Sequence, residues 1–324
     1  MLITLLVLAL FLIAYLQDGF ALTTSNANIN SLEKLHSATQ GDNWDYSSFD
    51  DSNIAYDDNS VSFSSFVSAI LNPILGAEPW NFTKYNGQYM YDPCSTTKPW
   101  GGLYCDCTNA PPCSILVINL GAVGLRGSLP PDVGAFDQLV QLQLGVNNIT
   151  GPIPQEIGNL TNLKVLDLSA NNFTGEIPAA MGNLINLTTL YLYDNRMTGS
   201  LEDAALGNLV NMESLKMGLS ADYSDDGSYY NTFSSFFSLS LIPSWLNNMT
   251  SLVELDLISC SLYGSIPSRL FNLKNLTNLS LNTNSITGRL PREIGLLTKL
   301  VTLDIGTNNI TGRLPHEVGL LTKL

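Results

Sequence analysis

The sequence predicts an α/β solenoid, and three observations support that prediction. A segment of 24 residues recurs from residue 115 onward, apolar residues occupy fixed positions within it, and glycine and proline recur inside each copy. Residues 139–162 and 163–186 show the repeat most plainly. Because one such unit cannot bury its apolar side chains alone, stacked units must share a continuous core.

Eight units can be traced before a ninth begins at Leu324. The units are 115–138, 139–162, 163–186, 187–211, 212–251, 252–275, 276–299 and 300–323. The fourth has one extra residue and the fifth has an insertion of 16. A solenoid that stops there would expose its last apolar layer, so we expect the chain to be a truncated product. Amphipathic helices are excluded because glycine and proline recur inside each unit.

Each unit is predicted to begin with a short strand. Positions 1, 4 and 6 are apolar, as at Leu163, Leu166 and Leu168, which points one face of the strand inward. Position 9 is predicted to form a buried ladder whose side chains bond the backbone of adjacent turns. Its members are Asn147, Asn171, Asn195, Cys260, Asn284 and Asn308. Glycine at position 13 allows a bend, and proline at position 16 ends the strand.

The unit LxxLxLxxNxLTGxIPxxIGNLTN resembles the plant-type leucine-rich repeat of receptor-kinase ectodomains and polygalacturonase-inhibiting proteins. The resemblance covers residues 115–324, about two thirds of the chain. It implies a right-handed horseshoe with a parallel β-sheet on its concave face.

Residues 22–114 differ in composition from the repeats and contain an acidic segment. Helices are predicted at residues 31–38 and 61–71. The motifs Asp92-Pro93-Cys94 and Trp100-Gly101-Gly102 resemble the N-terminal cap that precedes such repeats. A cap is physically required, because the first apolar layer of a solenoid must be covered.

Four cysteines, Cys94, Cys105, Cys107 and Cys113, lie together just before the first repeat. Three disulfide pairings are possible, and a zinc site is the alternative use of four thiols. An oxidising compartment favours disulfides. The family pattern pairs Cys94 with Cys105 and leaves Cys107 for Cys113. No metal or cofactor is therefore expected.

Residues 1–21 are predicted to be a signal peptide, which places the protein outside the cell or on its surface. Residues 2–16 are apolar except for Thr4, and Gly19-Phe20-Ala21 offers a cleavage site. Fifteen helical residues span only about 22 Å, which is short for a membrane helix. An uncleaved membrane anchor is the alternative.

Nine Asn-x-Ser/Thr motifs predict a glycoprotein. The acceptors are Asn81, Asn148, Asn159, Asn172, Asn186, Asn248, Asn275, Asn278 and Asn309. Asn278 falls on a predicted concave strand, where a glycan would obstruct binding.

The insertion, near residues 219–240, is rich in aromatic and acidic residues. Its aromatic side chains fit either a binding loop or packing against the solenoid. Asp222-x-Ser224-x-Asp226-Gly227 resembles the start of a calcium loop. However, Phe233 stands where the bidentate glutamate belongs, which favours a solvated turn.

The concave face is the predicted ligand-binding surface, because solenoids usually bind there. The side chains expected to line it include Asp167, Tyr191, Tyr193, Asp194, Lys216 and Asp256. Tyr191 and Tyr193 share one strand, and tyrosine often anchors interfaces.

The sequence predicts a recognition protein and not an enzyme. His36 and His316 are the only histidines and lie far apart, and no catalytic motif is present. A pI near 4.3 argues against nucleic acid as a partner. We predict an extracellular module that binds a protein, peptide or glycan ligand, as part of a receptor-like protein. It would contact a membrane only through a further C-terminal segment. The alternatives are a secreted inhibitor of a microbial cell-wall hydrolase and a structural glycoprotein of the wall or matrix.

Overall fold

A computed structural model describes residues 26–39, 84–85, 88–89, 94, 102–107, 113–202, 204–219 and 237–324. The predicted signal peptide, the helix expected at 61–71, the Asn81 acceptor and residues 220–236 of the insertion lie outside the described residues. Among the described residues, none of the helices could span a lipid bilayer.

The strands are β1 (Lys84–Tyr85), β2 (Gln88–Tyr89), β3 (Leu103–Asp106), β4 (Ser114–Asn119), β5 (Arg126–Ser128), β6 (Gln141–Gln143), β7 (Asn148–Pro152), β8 (Val165–Asp167), β9 (Asn172–Gly175), β10 (Thr189–Tyr191), β11 (Arg196–Met197), β12 (Ser214–Gly218), β13 (Glu254–Ile258), β14 (Tyr263–Ser265), β15 (Asn278–Ser280), β16 (Ser285–Gly288), β17 (Thr302–Asp304) and β18 (Asn309–Ile310). The helices are α1 (Asn26–Ala38) and the short 3-10 helices η1 (Pro131–Ala135), η2 (Gln155–Asn159), η3 (Ala179–Asn183), η4 (Ser244–Asn248), η5 (Ser268–Asn272), η6 (Arg292–Leu296) and η7 (His316–Leu320).

The main sheet confirms the solenoid, because each repeat adds one parallel strand to it. Its order is β17-β15-β13-β12-β10-β8-β6-β4-β3, and only β3 runs antiparallel to its neighbour. Leu142, Leu166 and Leu190 stand in register on successive strands and are fully buried. The apolar position 4 therefore forms a continuous column through the core, and the alternate positions 3 and 5 face the concave surface.

Behind the concave sheet the chain forms two smaller parallel sheets and a layer of 3-10 helices. β5, β7, β9 and β11 form one small sheet, and β14, β16 and β18 form the other. In most repeats the position-16 proline directly precedes the 3-10 helix, as Pro154 precedes η2 with φ −69°. The gap between the two small sheets coincides with the insertion. There Ser238 donates its backbone N–H to Gly199 O (2.8 Å), and Ser240 forms a bridge to Leu262.

The asparagines of position 9 bond two successive turns. Asn171 Oδ1 accepts the backbone N–H of Ile149 (2.9 Å), while its Nδ2 donates to Leu144 O (2.9 Å) in the preceding repeat and to Ser169 O (3.0 Å) in its own. The same arrangement recurs at Asn147, Asn195, Asn284 and Asn308. Cys260 is fully buried at the equivalent position, with its Sγ 3.6 Å from Ile258 O. Burial raises the pKa of the Cys260 thiol, which therefore stays protonated.

The N-terminal cap covers the first repeat as expected. Disulfides join Cys94 to Cys105 and Cys107 to Cys113, which confirms the pairing that the resemblance implied. The helix predicted at residues 31–38 begins earlier, at Asn26. It buries apolar side chains on the core side, and Lys34 pairs with Asp132 on η1.

Candidate functional site

The position-5 side chains form one row across the concave face. Strand register aligns Gln143, Asp167, Tyr191, Lys216 and Asp256 on five successive strands, from β6 to β13. The predicted site residues Asp167, Tyr191, Lys216 and Asp256 are therefore lateral neighbours. The insertion does not interrupt the row, because β12 pairs directly with β13 over five residues.

Tyr191, Tyr193 and Lys216 form the centre of this surface. The two tyrosine rings lie 6.1 Å apart between centroids at an angle of 53°. Lys216 Nζ lies 5.2 Å from the Tyr191 ring centroid, within reach of a cation–π interaction. Both tyrosines are partly exposed, so each keeps some surface that a ligand could contact.

Ser214 and Glu254, at position 3, hold Lys216 and Tyr191 in place. Lys216 Nζ is 3.0 Å from Glu254 Oε1, and Ser214 Oγ donates to Glu254 Oε2 (2.8 Å). The Tyr191 hydroxyl lies 3.3 Å from the same Ser214 Oγ. Burial alone would lower the pKa of Lys216, but the hydrogen bond and charge of Glu254 raise it overall, so the ammonium stays charged. Ser214 and Glu254 were not among the predicted site residues, although strand alternation exposes position 3 as well as position 5.

Ser169 forms side-chain hydrogen bonds with both Asp167 and Tyr193, in the repeats that precede Lys216. Asp167 Oδ1 accepts both the backbone N–H (2.9 Å) and the hydroxyl (2.6 Å) of Ser169. Burial raises the pKa of the Asp167 carboxyl, although these hydrogen bonds and Lys216 oppose the rise. Burial likewise raises the pKa of Tyr193, which keeps its hydroxyl neutral. Asp194, at position 8, lies beyond the end of β10 with φ 53°, and its backbone N–H donates to Gly218 O (2.8 Å) at the end of β12.

Asp256 lies beyond Lys216 in the row. Its Oδ1 accepts the backbone N–H of Ile258 (3.1 Å). Burial raises the pKa of Asp256 to about 6; the Ile258 N–H and Lys216 oppose the rise, and Glu254 and Asp304 add to it. Because Lys216 is already paired with Glu254, this part of the concave face carries excess negative charge.

The raised pKa of Asp256 predicts a pH dependence of stability. Between about pH 4 and pH 6 the folded protein binds a proton there that the unfolded chain does not, so stability falls as pH rises through this window. Asp256→Asn keeps the acceptor and removes the charge. We expect it to raise the free energy of unfolding at pH 7 by about 1–2 kcal/mol, after discounting for partial exposure, and to have no effect near pH 4.

Urea unfolding of both proteins at pH 4, 5, 6 and 7 measures this difference. Glu156→Gln, which removes an exposed carboxylate on η2 away from the concave row, is the control for loss of a negative charge alone. A stability gain from Asp256→Asn that is the same at every pH would contradict the assignment.

In the described part of the chain, no group of three or more His, Cys, Asp or Glu side chains could hold a metal ion. The concave face itself presents aromatic rings, one paired cation and several carboxylates on neighbouring strands.

Comparison with known proteins identifies the repeat. The leucine-rich-repeat family model matches residues 162–184 and 275–297. Comparison with curated protein sequences gave no match.

Among solved structures, the chain is similar to ectodomains of plant receptor kinases. It is 35% identical to the leucine-rich-repeat ectodomain of Arabidopsis thaliana GASSHO1/SCHENGEN3, solved with CASPARIAN STRIP INTEGRITY FACTOR 2, with a TM-score of 0.60 over 69% of this chain and 25% of that one. It is 30% identical to the Arabidopsis receptor kinase HAESA, solved with the peptide hormone IDA and the co-receptor SERK1, with a TM-score of 0.56 over 69% of this chain and 39% of that one. A TDR receptor is 34% identical, with a TM-score of 0.55 over 64% of this chain and 33% of that one. The chain thus spans between a quarter and two fifths of the length of these proteins.

Proposed function

Because the repeats of this chain are leucine-rich repeats of the plant receptor-ectodomain type, we propose that it is an extracellular recognition module of a receptor-like protein. Its ligand is a peptide or protein that binds across the concave face. The observation that carries the proposal is the aligned row of Asp167, Tyr191, Lys216 and Asp256, with Tyr193 beside it. Similar ectodomains were solved with peptide hormones, which supports a peptide as the ligand.

The side chains at the centre of this surface are held in place before a ligand binds. The side chains of Tyr191 and Lys216 are fixed by contacts with Ser214 and Glu254, so little conformational entropy is lost when a ligand contacts them. Two half-exposed tyrosine rings offer apolar area, and the neighbouring carboxylates offer hydrogen-bond acceptors. Such a combination suits an extended peptide that contributes apolar side chains and N–H or cationic donors.

The double variant Tyr191→Ala/Tyr193→Ala should lose binding while it stays folded. A displayed random-peptide library selected on the purified protein supplies the probes. We expect the enriched peptides to bind the double variant at least about 30-fold more weakly, because two aromatic anchors contribute about 2 kcal/mol or more together. Surface plasmon resonance measures the affinities, and circular dichroism checks the fold.

Tyr263→Ala is the matched control, because Tyr263 is an exposed tyrosine on β14, away from the concave sheet. Enriched peptides that bind the double variant as tightly as the wild type would show that the ligand uses another surface.

A further inference from the structure

Most glycosylation motifs in the described chain fall at positions where asparagine recurs from repeat to repeat. Asn148, Asn172 and Asn309 share position 10, Asn159 and Asn248 share position 21, and Asn186 and Asn275 share position 24. Position 24 is also asparagine in Asn162 and Asn211, neither of which is followed by Ser or Thr two residues later. Recurrence without the motif indicates a packing role for these asparagines.

Hydrogen bonds between repeats show what that role is at position 24. The Nδ2 atoms of Asn162, Asn186, Asn211 and Asn275 donate to backbone carbonyls of the preceding repeat at 2.9–3.1 Å. The threonines of the motifs at Asn186 and Asn275 do the same, since Thr188 Oγ1 donates to Lys164 O and Thr277 Oγ1 to Val253 O. Both halves of these two motifs therefore have a structural explanation.

Asn278 has no such explanation. It occupies position 3 of its repeat, where the other units have Val117, Gln141, Val165, Thr189, Ser214, Glu254 and Thr302. Its side chain is half-exposed on the concave face and makes no hydrogen bond with the described residues. Leu279 is buried between Asn278 and Ser280, so both polar residues of the motif face outward.

We propose that Asn278 carries an N-linked glycan, and that this glycan limits the ligand-binding surface to the strands on the Tyr191 side. The inference rests on the proposed extracellular function for its setting. Asn278 stands in register between Glu254 on β13 and Thr302 on β17. Because Asn278 lies two strands from Lys216 on β12 and three strands from Tyr191 on β10, a glycan there obstructs the β17 end of the sheet and leaves the Tyr191 side accessible. The ligand therefore binds over β8, β10 and β12 and reaches Asp256 on β13. Asp304 on β17 lies outside the surface that it contacts.

Glycopeptide mass spectrometry tests the modification. The chain is directed through the secretory pathway of a glycosylating cell by a host signal sequence, so the result does not depend on residues 1–21. Enzymatic release of N-glycans in heavy-oxygen water marks each occupied asparagine. We expect Asn278 to be marked in most molecules and in none of the Ser280→Ala variant, which keeps the asparagine. An unmarked Asn278 overturns the proposal.

Thiol labelling tests the steric limit. Thr302→Cys lies beside Asn278, and Gln141→Cys lies at the same position on distant β6, while Cys260 is buried and does not compete. Each cysteine variant is labelled with a bulky maleimide, both with the intact glycosylation motif and together with Ser280→Ala. We expect the glycan to slow the labelling of Thr302→Cys several-fold. The labelling rate of Gln141→Cys should be the same with and without the glycan. Equal rates at Thr302→Cys would overturn the limit. Neither measurement uses a ligand, so failure here is distinguishable from failure of the peptide-binding proposal.

Discussion

Asn171→Ala should lower the free energy of unfolding by about 3 kcal/mol or more. The side chain is 6% exposed and holds the Ile149 N–H together with carbonyls of two successive repeats. Alanine leaves the Ile149 N–H without its acceptor and weakens the bonding of those carbonyls where water cannot enter. An unpaired buried polar group costs about 1–3 kcal/mol, and several are affected together. Urea unfolding followed by circular dichroism measures the loss.

Asn308→Ala is the matched control, because Asn308 makes the same bonds in a more exposed setting. Its Oδ1 accepts the Ile286 N–H, and its Nδ2 donates to Leu281 O and Gly306 O. Water can replace the lost partners there, so we expect a cost of about 1 kcal/mol. Equal losses at both positions would mean that the number of hydrogen bonds, and not their burial, sets the contribution of the ladder. Because repeats can unfold separately, the free energies of unfolding can be compared only if the same unit unfolds in every variant. The slope of the unfolding free energy against urea concentration must therefore equal that of the wild type.

The solenoid was predictable because its determinants lie within one repeat. Leu163, Leu166 and Leu168 show the strand and its buried face, and the same spacing in every copy predicts the stacking. The disulfide pairing was available only through the resemblance, since the spacing of four cysteines permits three pairings. The helix α1 was predicted in type but not in extent, because helix termini depend on local contacts that sequence patterns record poorly.

The site was only partly predictable, because it depends on side chains from different repeats. Tyr191 and Lys216 were chosen from their own strand positions, but the network that fixes them needs the registers of β10, β12 and β13 together. Ser214 and Glu254 are 40 residues apart, and the insertion between them hides their alignment in the repeat pattern. The asparagines of position 24 recur in the sequence, yet only the structure shows that they donate between repeats.

Gly127→Ala should detach the N-terminal cap from the first repeat. Gly127 has φ +94°, and a Cβ there would lie 1.9 Å from the carbonyl oxygen of Ala38, at the end of α1. The neighbouring Arg126 N–H donates to Thr39 O (3.0 Å), so the backbones of cap and repeat are already in direct contact. The helix must move to make room, which exposes its fully buried Ile29, Leu32 and Leu35. Partial exposure of three such side chains, together with backbone strain, should cost about 3 kcal/mol or more.

Gly124→Ala separates the steric contact from the backbone strain. Gly124 has φ +79° but no atom within 4 Å of the added Cβ, so only the cost of the left-handed conformation remains, about 1–2 kcal/mol. Limited proteolysis should release fragments cut near residues 26–39 from Gly127→Ala much faster than from Gly124→Ala, and urea unfolding should rank the two variants in the same order. If the two glycine variants proved equally stable and equally resistant, the cap would be held by its disulfides and β3, and the contact between α1 and β5 would contribute little.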